Sequence, residues 1–190
     1  MRKALLQSCL CVGCLVSGAA SLPAQEVIHA LTGTVTSINS ATKAITVLQD
    51  NGSTVNYRPR LDSKTRIVFD KSVAEGTTAA ETFSEKDAYV IVFYYGTTED
   101  KTAVALKNLG AGPFASAEGT VAKFDSHAHS LSIQDEKGMT QNFRLTSESV
   151  VESNFGAVDG LKFQAQKGDH VRIVAANVGG APTALFVRDN

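Results

Sequence analysis

The feature that most constrains this chain is that its second half repeats its first. Gly33-Thr34-Val35 returns as Gly119-Thr120-Val121, and Ile45 and Val47 return as Leu131 and Ile133. Gly52 becomes Gly138, and Tyr57-Arg58 becomes Phe143-Arg144, all at a constant offset of 86. After a few deletions, Asp87-Ala88-Tyr89-Val90-Ile91-Val92 aligns with Asp169-His170-Val171-Arg172-Ile173-Val174. Ala103 to Lys107 then aligns with Ala184 to Arg188. Matches in this order imply a tandem duplication, so one small unit has to fold twice.

The local signals in each copy are those of strands and turns. Leu31 to Ile38, Ala44 to Gln49 and Ser53 to Arg58 read as three strands. The last two are joined through Asp50-Asn51-Gly52, a hairpin signal because Asn-Gly tolerates positive φ, and Pro59 marks the end of the third. Arg66 to Phe69 reads as a short strand, and Lys71 to Lys86 as a polar loop carrying one helical turn. Ala88 to Tyr95 has no charge, Gly or Pro and is apolar at both alternating sets of positions, the pattern of a strand covered on both faces. Thr102 to Lys107 closes the unit, and Gly110-Ala111-Gly112-Pro113 is a linker by composition.

About five short strands per copy avoid open edges by curling into a small barrel. The expected fold is therefore all-β: two tandem OB-like or SH3-like barrels, residues 29–109 and 115–190, with 110–114 between them. Units this small and without disulfides are marginal alone, so the repeats are expected to pack on each other.

Gly-Thr-Val, a polar turn, Leu/Ile-x-Ile/Val, a glycine and then Lys167-Gly168-Asp169-His170-Val171-Arg172-Ile173-Val174 form a pattern spanning both repeats. It resembles the tandem β-rich repeats of exported bacterial proteins grouped as a domain of unknown function with an OB-like barrel. The first repeat departs from the pattern, with Lys86-Asp87-Ala88 where the second has Gly168-Asp169-His170. The resemblance implies a fold and a compartment, and no catalytic residue.

Residues 1–24 read as a secretory signal peptide, removed from fold reasoning. Arg2 and Lys3 precede an uncharged, largely apolar run from Ala4 to Ala20, with cleavage expected after Ala24 or, alternatively, Ala20. All three cysteines, Cys9, Cys11 and Cys14, lie in this segment. A lipoprotein acylated at Cys14 is the minority alternative to a soluble secreted or periplasmic protein, because Cys11 stands where such signals usually carry Leu. No later stretch approaches the roughly 18 apolar residues that span a bilayer. Without Arg2 and Lys3, the 18 basic residues fall to 16 against 19 acidic, with no basic stripe, which argues against a nucleic-acid partner.

Chemistry is sparsely signalled. Asp125-Ser126-His127-Ala128-His129 places two imidazoles on one face of an extended segment, and His29 or His170 would add ligands for zinc or copper. Its counterpart, Asn39-Ser40-Ala41-Thr42-Lys43, makes an ordinary hairpin turn the better reading. There is no cysteine nucleophile beyond residue 24, no Gly-x-Ser-x-Gly, no His-Glu-x-x-His and no phosphate-binding loop, so no catalytic residue, metal or cofactor is assigned. Tyr57, Tyr89 and Phe143 read as core. By the alignment, Tyr89 and Ile91 correspond to Val171 and Ile173 and face inward. That leaves Val90, Val92 and Tyr94 as an apolar outer face, the candidate binding residues, covered by repeat two or by a partner chain. The expectation is an exported, non-enzymatic binding or structural module of the cell envelope. A metal-binding protein is the first alternative and a cryptic hydrolase the second.

Overall fold

The computed structural model describes residues 27–59, 77–78, 83–96, 101–110 and 112–189. The segment read as a signal peptide, 1–24, and the strand expected at Arg66 to Phe69 lie outside these residues.

Three strands form an antiparallel meander: β1 (His29–Ile38), β2 (Ile45–Gln49) and β3 (Thr54–Pro59). The chain passes through a two-residue strand, β4 (Thr77–Thr78), before β5 (Tyr89–Tyr95) pairs with β1 and β6 (Lys101–Gly110) pairs with β5. Parallel pairing of β6 with β3 closes the sheet on itself. This is a five-stranded Greek-key barrel of the OB type, with β4 added at the outer side of β6.

The second half does the same. β7 (Ala115–Asp125), β8 (Ser130–Gln134) and β9 (Thr140–Arg144) form the meander. β12 (His170–Val178) pairs with β7, β13 (Ala181–Asp189) with β12, and β13 with β9. Between β9 and β12 lies a hairpin that the sequence reading missed, β10 (Val150–Ser153) and β11 (Gly156–Asp159), followed by a 3-10 turn at Gly160–Lys162. β10 joins the second sheet by parallel pairing with β13. The cis Gly112–Pro113 peptide lies between the barrels.

The repeated glycines of Gly-Thr-Val have a steric cause. The first strand of each barrel coils to serve both halves of the closed sheet and passes close to its neighbour. A Cβ at Gly33 would lie 2.4 Å from the Leu48 carbonyl oxygen, and one at Gly119 2.3 Å from that of Gln134. Both first strands shift register just beyond, between Val35 and Ser37 and between Val121 and Lys123.

Each barrel has its own core. Leu31, Val35, Ile45, Val47, Tyr57, Val90, Val92 and Leu106 fill the first, and Val121, Leu131, Ile133, Phe143, Val171, Ile173 and Val187 the second. This corrects the expected alternation along β5. Gly33 lies opposite Val90 as Gly119 lies opposite Val171. Val35 N donates to Ala88 O at 3.0 Å, as Val121 N donates to Asp169 O at 2.8 Å. The position matching Asp87 is therefore Gly168, and the alignment on the shared aspartate is one residue out. The turn needs a left-handed residue, which Asp87 (φ 63°) supplies in one barrel and Gly168 (φ 101°) in the other.

A slip of one residue exchanges the faces of a strand. Val90 and Val92 are fully buried inside barrel 1 rather than on its outer face. Tyr94, beyond the register shift between Phe93 and Tyr94, packs at the same core, 5.5 Å between ring centroids from Tyr57. Tyr89, Ile91 and Phe93 face outward.

Candidate functional site

The outward face of β5 is where the two barrels meet. Ile91 and Phe93, with Ala30 of β1 and Val104 and Ala105 of β6, pack against Val150, Val174 and Phe186 of the second barrel. Burying a Val- to Phe-sized side chain stabilises by roughly 1.5–3 kcal/mol, so this cluster is a substantial joint. The chain ahead of β1 adds a main-chain link, Ala157 N donating to Ile28 O at 2.8 Å.

Polar anchors surround the apolar patch. Asp50, at the β2–β3 turn, accepts from Thr32 Oγ1 (2.6 Å) and from Tyr89 Oη (2.9 Å), and pairs with the Arg172 guanidinium of β12. Burial first, and then the Asp50 carboxylate, push the Tyr89 hydroxyl up to about 12, so it stays a neutral donor at ordinary pH. Glu152 of β10, buried, accepts from Ala30 N at 2.7 Å and lies 2.6 Å from His29 Nδ1. Desolvation raises the Glu152 carboxyl above its usual range, against the opposing pull of His29, Ala30 N–H and Arg188. Lys107 Nζ donates to the Glu148 carboxylate (2.5 Å) and to its main-chain oxygen (2.8 Å).

Beside these anchors a cleft of about 800 Å³ opens between the barrels, with Asn51, Tyr89, Phe114, Glu118, Arg172 and Arg188 among its lining residues. The strand registers explain the pattern of charge. Glu118 lies opposite Arg172, Arg172 opposite Arg188, and Arg188 opposite Glu152, so one row across β7, β12, β13 and β10 reads acid, base, base, acid. Arg172 is held by Asp50, whereas Arg188 is exposed. Among the described residues the lining contains the hydroxyl of Ser116 but no histidine, so they assemble no nucleophile–imidazole pair there.

Phe114 also borders a second cleft, of about 530 Å³. Here Phe143, Ala175, Ala176 and Pro182 provide apolar walls, and Gln141, Asn142 and Asn177 provide amides.

The histidines named from sequence are not assembled into a site. His127 and His129 lie in the β7–β8 turn, where the Asp125 carboxylate accepts from His127 N (3.1 Å) and Ala128 N (2.9 Å). In barrel 1, Asn39 Oδ1 accepts from Ala41 N and Thr42 N in the same way. His129 (φ 47°) takes the left-handed position held there by Lys43 (φ 58°). His29 is engaged by Glu152, and His170 Nε2 lies 3.8 Å from Glu118. No group of three or more His, Cys, Asp or Glu able to hold a metal occurs among the described residues.

Tyr57 and Phe143 are core residues as expected, whereas Tyr89 belongs to the joint between the barrels. Asp50, Arg172, Glu152 and the two clefts were missed by sequence reasoning. Their one visible trace was the uncompensated apolar character of β5, which demanded a cover. No helix among the described residues is long and apolar enough to cross a membrane. No family model, curated protein or solved structure matches the chain.

Proposed function

We propose that this protein is an exported, non-enzymatic binding or structural module of the bacterial cell envelope, built from a tandem duplication and working from the cleft between its barrels. The observation that carries this reading is the Thr32–Asp50–Tyr89–Arg172 network beside the cleft. It fixes the cleft's walls by satisfying polar side chains against one another. Such an arrangement supports pre-organised binding rather than turnover, because Asp50, Tyr89 and Arg172 are held in place by one another and the described lining brings no imidazole to its one hydroxyl nucleophile, Ser116. The basic n-region and the apolar run after it support export.

The test uses the full chain expressed in an exporting host. Mass spectrometry should place its new N-terminus at Gln25; a lipid on Cys14 would overturn the soluble form. The purified product is then tested for retention on isolated peptidoglycan, envelope polysaccharide and envelope-lipid vesicles. One fraction should retain the wild type, and Ser116→Trp, which fills the cleft, should lose at least about tenfold in affinity, the equivalent of 1.4 kcal/mol. Retention by none of the three, or retention indifferent to Ser116→Trp, would sink the proposal.

A further inference from the structure

The two barrels differ at the seam where the third and last strands meet. In barrel 1 the seam is zipped over three pairs, Tyr57 with Lys101, Arg58 with Thr102 and Pro59 with Ala103. In barrel 2 a single pair remains, Arg144 with Thr183, in the register equivalent to Arg58 with Thr102. The residue that would lie beside Phe143, as Lys101 lies beside Tyr57, is Pro182. A proline has no N–H to give a ladder, so the seam stays open from this point outward.

The opening leaves main-chain groups without a partner. At the two ends of the β8–β9 hairpin, Leu145 N donates to His129 O (2.8 Å) and Asp135 N to Met139 O (3.0 Å). The pairing between these ends runs without a register shift. In an antiparallel ladder, bonded pairs alternate, so Gln141 and Phe143 point their N–H and C=O groups at β8. Thr140, Asn142 and Arg144 point theirs the other way. Those of Arg144 face β13; those of Thr140 and Asn142 face the open seam and have no partner strand among the described residues. The Asn142 side chain is engaged elsewhere, with Ser132 Oγ at 2.5 Å. Beside this edge lies the cleft of about 530 Å³, whose lining holds Phe143, Ala175 and Pro182 and, among the described residues, no charged side chain.

We propose that the open seam of barrel 2 binds an extended, uncharged peptide segment of another protein, which adds as a strand to β9 and places one apolar side chain in the Phe143–Ala175–Pro182 cleft. Two residues that each present a donor and an acceptor at strand spacing are matched best by another main chain. A charged side chain would lose its hydration in this lining with nothing to compensate it, which selects for an uncharged segment. Among the described residues, the site's lining shares only Phe114 and Ala115 with the inter-barrel cleft.

The experiment probes the full chain with a capped peptide, acetyl-Thr-Val-Thr-Val-Thr-amide, and with the same peptide N-methylated at alternate residues. Binding of the first should slow amide exchange at Thr140 and Asn142. The methylated peptide should bind at least about tenfold more weakly, since main-chain hydrogen bonds are removed while the side chains are kept. Pro182→Thr restores the N–H and lets β13 zip onto β9; it should lose the peptide while melting no lower than wild type. Ala176→Trp should fill the cleft with the same loss of binding. Ser116→Trp, in the other cleft, should leave peptide affinity unchanged, so this proposal and the envelope-binding reading fail separately. Equal affinity for both peptides, protection elsewhere than Thr140 and Asn142, or full binding by Pro182→Thr would overturn the inference. So would occupation of the seam by a second copy of the chain or by a neutral oligosaccharide in place of the peptide.

Discussion

Two kinds of glycine occur at matching positions in the barrels, and they are required for different reasons. Gly52 and Gly138 sit at hairpin turns with φ of 82° and 80°, and an added Cβ at Gly52 would meet nothing within 4 Å. Replacing either with Ala should cost only the left-handed backbone penalty, about 1–2 kcal/mol. Gly33 and Gly119 carry no such φ; there the obstacle is a neighbouring carbonyl oxygen inside contact distance. Gly119→Ala is therefore expected to destabilise more than Gly138→Ala, by about 3 kcal/mol or more, because main-chain atoms yield less readily than side chains. Urea melts of the two variants rank them directly, and a milder effect for Gly119→Ala would refute the close-approach argument. Both glycine pairs were legible as repeats in the sequence, and Asn-Gly was legible as a turn. The close approach was not, since it depends on how tightly a strand coils across its neighbour.

At the scale of elements, β5 shows where reading from sequence reaches its limit. A strand apolar on both sides announces that both faces are covered, and both are. It does not announce which face is the inside, because Tyr-Val-Ile-Val-Phe offers an equally apolar set in either phase. The phase has to come from aligning the two halves of the sequence, and an alignment anchored on Asp87 and Asp169 places it one residue out. Anchoring on Lys86 and Lys167 gives the observed register, with Asp87 in the left-handed position of Gly168. The β10–β11 hairpin escaped for another reason: Val150-Val151-Glu152-Ser153 is too short to carry a period. The faces of β5 are separable by mutation. Val92→Lys puts an ammonium inside barrel 1 and should unfold that barrel. Ile91→Lys puts it between the barrels and should part them, exposing the linker at 110–114 to protease while the core amides of barrel 2 stay protected. Hydrogen exchange on both variants decides the matter; loss of barrel 1 protection in neither would return Val92 to an outer face.

For the whole molecule, the question is how two barrels of this size act as one body. Their apolar joint is supported by ion pairs, and pairs with a partner open to solvent, such as Asp50–Arg172 and Lys107–Glu148, contribute on the order of 1 kcal/mol or less. Glu152 differs because it is a buried acid, 8% exposed, whose carboxylate meets the main chain of the other barrel at Ala30. Burial raises its pKa, so the folded protein holds this proton at a pH where the unfolded chain has released it. Where the folded state binds more protons than the unfolded, stability falls as pH rises. The window opens at the ordinary carboxyl value of 4.5 and extends through the raised one. Asp189, raised by burial and by Asp169, acts in the same direction. Glu152→Gln keeps an acceptor for Ala30 N–H and a polar group beside His29 Nδ1 but cannot ionise. Below pH 4.5 the variant and the wild type should respond to pH in parallel. Above it the wild type should lose stability relative to the variant, with the loss complete once the raised carboxyl is fully ionised. Thermal melts across that range test this, and a stability difference that does not change with pH would show that Glu152 is not the group that ties the joint between the barrels to pH.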